Sequence, residues 1–153
     1  MPTLPSKKPL ASHSCPFDAP RAECNDYWDF ISSLSVSSLY LSKNQTYRGY
    51  CLLIFDPRHA VRLEELNPAE WSAFSLDLHA TNRAIDSVLH PDHMNVELLG
   101  NVIQHLHWHI VPRYRSDPRW GGPIWMTTQA EMHEVLLPPE ERRALVNQIR
   151  NAL

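Results

Sequence analysis

From Gln104 to Arg113 the chain reads Gln-His-Leu-His-Trp-His-Ile-Val-Pro-Arg, with imidazole and apolar side chains in strict alternation through His109. A period of two is the mark of a strand, because successive side chains point to opposite faces. On a helix, residues two and four apart do not share a face in this way. His105, His107 and His109 are therefore expected on one face of a sheet, with Leu106, Trp108 and Ile110 on the other. Pro112 has no N–H for a ladder and confines the strand's end to an edge or a terminus. Whatever else the chain does, it must build a sheet with an apolar side and a histidine side.

The neighbouring segments supply the rest of that sheet. Met94–Leu99 and Asn101–Pro112 read as strands joined at Gly100. Val36–Leu41 and Gly49–Phe55 are short apolar runs separated by the turn-forming Lys43-Asn44-Gln45. Asn67-Pro68-Ala69-Glu70 places a capping amide, a first-position proline and an acid where a helix begins. From there Trp71, Phe74, Leu78, Thr81 and Ile85 mark one face until His90-Pro91 ends it. Pro138–Leu153 predicts a second amphipathic helix, and Tyr27, Trp28, Phe30, Ile31 and Leu34 recur at helical spacing after Asn25. The class is α+β: an antiparallel sheet with one long helix and a C-terminal helix. Several of the 13 prolines fall in residues 1–24, which read as an irregular N-terminal arm, leaving 25–153 as a single domain.

Composition narrows the partners. A formal net charge of -3 offers no basic field for a nucleic-acid backbone, so a small ligand is expected and no nucleic acid. No apolar run approaches the roughly 20 residues needed to cross a bilayer, and MPTLPSKKPL lacks the apolar core of a secretory signal. The expectation is a cytoplasmic protein without a membrane partner. Three cysteines, Cys15, Cys24 and Cys51, cannot all pair with one another and are read as reduced thiols. Cys51 suits the core. Cys15-Pro16-Phe17-Asp18 would begin a zinc knuckle if Asp18 were a second cysteine; since it is not, structural zinc is the lesser reading.

Three clustered imidazoles, in a chain with nine histidines, have three readings. They are polar residues on a solvated face, ligands of a catalytic zinc with an open position, or reacting groups. The first is an odd way to build a solvated face. The second suffers because same-strand neighbours converge poorly on one tetrahedral ion, and no acid follows at the usual spacing. The third suits neutral imidazole, which is nucleophilic at pH 7 and forms a phosphoramidate that water can cleave. No metal or other cofactor is called for.

Gln104 through Arg113 resembles the signature of the histidine triad superfamily, His-φ-His-φ-His-φ-φ with φ apolar, and the similarity runs from about Val36 to Tyr114. The resemblance implies a small α+β domain that pairs into homodimers. It also implies hydrolysis or transfer of nucleotides through a covalent nucleotidyl-histidine. By that match His107 is the nucleophile, set on a polar, accessible face where it contributes little packing. His109 binds phosphate oxygens, and His105 positions phosphate or leaving group. Asn101 and Asn95 match amides that line the site, and Asn44 matches a ribose-binding position. His59 matches a structural histidine, while Arg113 either meets phosphate or caps the sheet. Transferases of the family commonly carry glutamine where His109 stands, so hydrolysis is favoured. The alternatives are a phosphoramidase, a nucleotidyltransferase, a nucleotide-binding regulatory protein or, last, a zinc enzyme.

Two departures bear on substrate. Val102 replaces a serine or threonine, and Tyr50 replaces a fourth histidine; both changes are expected to remove groups that touch the triad. An amine leaving group needs a proton, whereas a nucleoside polyphosphate leaves as a stabilised anion. Dinucleoside polyphosphates are therefore the expected substrates, ahead of nucleoside phosphoramidates.

Overall fold

A computed structural model describes residues 15–18, 21, 25–117, 119–126, 128 and 133–153. Most of the expected arm, Cys24 included, lies outside these residues. The elements are β1 (Trp28–Ser33), β2 (Ser37–Ser42), β3 (Cys51–Phe55), α1 (Pro68–Leu89), β4 (His93–Glu97), β5 (His107–Arg113) and α2 (Pro139–Ala152). All strand pairings are antiparallel, in the order β1-β2-β3-β5-β4. The α+β class is as the sequence indicates.

The long helix begins where its caps say. Asn67 accepts from the amides of Ala69 and Glu70, and Glu70 returns the bond to the Asn67 amide, a reciprocal box with Pro68 in the first turn. His90 ends it in the left-handed conformation, φ 46°, with its amide on the Asp86 carbonyl. Both helices cover one face of the sheet. Phe74, Ala84 and Ile85 of α1 and Leu145, Val146 and Ile149 of α2 close over Ile31, Leu39, Leu41, Leu53, Phe55 and Ile110. Asp77, buried on α1, accepts from the amides of Ser35 and Val36 and the Ser37 hydroxyl at 3.2, 2.9 and 2.7 Å, fastening the β1–β2 turn to the helix. Gly49 is required by two constraints at once: its φ is +83°, and an added Cβ would lie 2.1 Å from Leu89 Cδ1.

Two expectations fail, each for a local reason. Residues 27–34 form β1 rather than a helix. The pairing with β2 shifts between Phe30 and Ser32, and the bulged Ile31 adds one residue to the alternation. Trp28 and Phe30 face one way and Ile31 the other, so both faces of β1 carry apolar side chains and the run imitates a helical stripe. Asn25 accepts from the Tyr27 and Trp28 amides as an N-cap would, but the chain enters a strand. Likewise β5 begins at His107, not Asn101. The β3 ladder ends with Ile54 opposite His107, and the Leu106 amide turns to the Ala60 carbonyl. The Leu106 carbonyl still accepts from the Phe55 amide at 3.0 Å, and residues 98–106 leave the sheet as a loop.

Candidate active site

The sheet face away from the helices carries Trp28, Phe30, Tyr40, Leu52, Ile54, His107 and His109, by register and alternation. Tyr40, Leu52 and Ile54 pack with Phe17, Trp28 and Phe30 as a separate apolar cluster. His107 and His109 continue that surface along β5, while His105 approaches it from the loop.

A single backbone carbonyl fixes the protonation pattern of the row. His107 Nδ1 lies 2.6 Å from the His105 carbonyl, which can only accept, so Nδ1 carries the proton and Nε2 a lone pair. His107 Nε2 is 3.1 Å from His109 Nε2, which must therefore be the donor. His109 Nδ1 is left as an acceptor, and Tyr50 donates its hydroxyl to it at 2.7 Å. Burial pushes the Tyr50 phenol up from its ordinary value, consistent with a protonated donor. Burial also lowers His107, with the His105 carbonyl opposing. It lowers His109 to about 4, with the neighbouring His107 adding to the effect. Both rings are thus neutral at pH 7, and His107 Nε2 is in the nucleophilic form.

The polar face is not open to water. His105, His107 and His109 are 2%, 5% and 9% exposed. Phe17 stands edge-on to His107 at 5.3 Å between ring centres, and Trp125 edge-on to His109 at 4.9 Å. Trp125 is anchored by its indole N–H on Glu97. The accessible, loosely packed His107 expected from the alternation is corrected accordingly. Neither Phe17 nor Trp125 is marked by spacing, although both sit in stretches of unusual composition.

The other candidate residues separate. Asn44 lines a cleft of about 580 Å³ together with Trp28, Tyr50 and Trp125, two of which touch His109. Its Oδ1 accepts from Thr46 at the amide and hydroxyl. Asn95 is on β4, but its Oδ1 accepts from Arg113 at 2.7 Å. Asn101 is exposed in the 98–106 loop. Arg113 is buried, 1% exposed. It donates to Asp117, Asn95, and the carbonyls of Gly122 and Arg119 at 3.1, 2.7, 2.8 and 3.1 Å, holding the loop that bears Trp125. Tyr50 touches the triad after all, whereas Val102 is 95% exposed.

His105 behaves differently from its neighbours. Its Nε2 donates to the Phe55 carbonyl at 2.6 Å, and its Nδ1 points away from His107 toward Asp18, 3.1 Å away. The three imidazoles consequently do not converge on one point, as a three-histidine zinc centre would demand.

Among the described residues no helix is long and apolar enough to cross a membrane. No curated protein sequence matches the chain. Solved structures do. A histidine triad protein from Bradyrhizobium japonicum superposes with a TM-score of 0.76 at 22% identity, covering 88% of this chain and 96% of that one. One from Sinorhizobium meliloti gives 0.74 at 21%, covering 82% and 90%. A diadenosine triphosphate hydrolase from Plasmodium falciparum gives 0.59 at 13%, covering 88% and 86%. The HIT domain model matches residues 29–116, the span that runs from β1 through the imidazole row to the end of β5, and the chain belongs to the histidine triad (HIT) family.

Proposed function

We propose that the protein is a nucleotide hydrolase that cleaves nucleoside phosphoanhydrides of the dinucleoside polyphosphate type through a nucleotidyl-histidine at His107. The observation that carries the reading is the 2.6 Å bond from His107 Nδ1 to the His105 carbonyl. It puts the proton on Nδ1, so that Nε2 keeps a lone pair for attack once His109 turns away, and it stabilises the positive charge that the ring acquires as the N–P bond forms. In the first step Nε2 attacks the α-phosphorus and the P–O bond to the polyphosphate breaks, that group leaving as an anion. In the second, water attacks the same phosphorus, the N–P bond breaks, and a nucleoside monophosphate departs. His109 turns its Nε2–H from His107 to the phosphate oxygens, where a donor shielded from water stabilises developing charge most. Asn44 takes the ribose hydroxyls in the adjoining cleft, Asn95 and Asn101 line the phosphate end, and the Trp28–Tyr40 surface receives the base.

Phosphoanhydrides are favoured over phosphoramidates because His109, lowered to about 4, is neutral at pH 7 and has no readily released proton for an amine. His107→Ala and His107→Asn should each abolish turnover of diadenosine polyphosphates. Mass spectrometry of a quenched reaction should find a nucleotidyl adduct on His107. Activity retained in both variants overturns the mechanism; a kcat/KM ratio favouring phosphoramidates tenfold overturns the substrate assignment.

A further inference from the structure

A second cleft, of about 640 Å³, adjoins the imidazole row and is lined by the aromatic Phe17, Phe30 and Tyr40 together with the polar Ser38, Asp56 and Arg21. Phe17 joins the two places, since it also stands edge-on to His107 at 5.3 Å. The aromatic residues belong to the apolar cluster of that sheet face, on which the hydrolytic reading lays the base. The polar residues have no task in the hydrolytic steps.

Those polar residues form one bonded unit. Arg21 Nε donates to the Tyr40 hydroxyl at 3.1 Å, one terminal nitrogen to the Phe17 carbonyl at 2.5 Å, and the other to the Asp56 carboxylate. Its guanidinium also lies 5.7 Å over the Tyr40 ring. The Ser38 hydroxyl donates to the second carboxylate oxygen of Asp56 at 2.5 Å. Both charged side chains are partly buried and still reachable. Each terminal nitrogen of an arginine carries two N–H groups and each carboxylate oxygen two lone pairs, so these bonds use only part of the pair's capacity. The unit holds donors beside acceptors at the margin of an aromatic surface.

We propose that Arg21 and Asp56 read the edge of a purine and select guanine nucleotides, an assignment that rests on reading the imidazole row as a nucleotide site. Guanine presents the O6 acceptor and then the N1–H and N2–H donors along one edge. Arg21 donates to O6, while the Asp56 carboxylate accepts from N1–H and N2–H together. Adenine inverts the pattern: its amino group meets the Arg21 donors, and the N1 lone pair meets the carboxylate. Polar groups left unpaired in a partly buried site are what make hydrogen-bond selection strong. Hypoxanthine lacks only the 2-amino group and isolates one bond to Asp56.

Calorimetry of the full chain with GMP, IMP and AMP tests this without requiring turnover, because ribose and phosphate are the same in all three. GMP should bind more tightly than AMP by about tenfold, with IMP between them. Asp56→Asn replaces one acceptor with a donor. The variant should lose the preference for GMP and bind XMP, whose O2 accepts where the guanine amino group donates, about tenfold more tightly than the parent chain does. Misfolding cannot imitate that gain. Equal binding of GMP and AMP overturns the guanine assignment alone, as does an Asp56→Asn variant with no gain toward XMP. Failure of every nucleotide to bind overturns it together with the nucleotide reading of the site.

Discussion

Arg113→Lys keeps the positive charge and removes the planar fork, and the structure sets what that should cost. From a site 1% exposed the guanidinium donates to the Asp117 carboxylate, the Asn95 amide oxygen and two loop carbonyls. It also lies 5.2 Å over the Tyr47 ring. An ammonium, with its donors on a single nitrogen of shorter reach than the guanidinium's terminal pair, can keep one or two of these bonds. Asp117 retains the Tyr114 amide at 2.8 Å, so the carboxylate is not stranded. Two or three lost bonds at about 1 kcal/mol each predict a loss of about 2–3 kcal/mol. At this chain length that is a fall in Tm of roughly 5–10 °C. Arg113→Met, which also leaves the carboxylate without a counter-charge, should lose about 3–5 kcal/mol. Urea unfolding of the three proteins measures both figures. Because the same bonds hold the loop carrying Trp125 against His109, kcat should fall in Arg113→Lys at a temperature where the variant is folded. A lysine variant within about 0.5 kcal/mol of the parent refutes the bonding argument; one that is destabilised but turns over normally refutes the coupling to His109.

Stability should also depend on pH through His109. Its folded value, lowered to about 4 mainly by burial, is below the roughly 6.5 of an unfolded chain. The unfolded state therefore binds the proton first, and stability present above pH 6.5 is lost as the pH falls toward 4, on the order of 3 kcal/mol. In His109→Gln that part of the pH dependence should vanish from denaturation curves compared at pH 7 and 4.5. Tyr50→Phe removes the hydroxyl that donates to His109 Nδ1 and holds its ring; kcat should drop several-fold with KM little changed, and an unaltered kcat would separate Tyr50 from the chemistry. Light scattering at micromolar concentration should return about twice 17.7 kDa, the homodimer expected from the family resemblance.

How much of this was legible in the sequence depended on whether the signal was local. Helix α1 was, because Asn67, Pro68 and Glu70 announce its start within four residues and His90-Pro91 its end. The alternation at His107 and His109 was legible for the same reason. Strand β1 was not, since both its faces carry apolar side chains, Trp28 and Phe30 on one and Ile31 on the other, and such a run reads as helical. Nor was the start of β5, because strand length depends on a partner, and the pairing with β3 ends at Ile54 opposite His107. The surroundings of the imidazoles were hidden for a further reason. Phe17, Tyr50 and Trp125 meet them across long stretches of chain, and alternation names the face of a strand without saying what covers it.

The two margins of the sheet are finished differently. At β1 the bulge leaves the Ile31 carbonyl out of the ladder, and Arg150 of α2 donates to it at 2.6 Å and to the Phe30 carbonyl at 3.4 Å, while Arg142 pairs with Asp29. At β4 the backbone beyond Met94–Val96 has no neighbouring strand among the described residues, and Val96 is 38% exposed. A ribbon stoppered at one side can be extended only from the other. Two copies meeting at β4 about a twofold axis would consume the free backbone of both, whereas a sheet open on two sides can go on adding members into a fibre. In such an assembly Arg150, remote from every reacting group, would limit how many molecules the sheet could join.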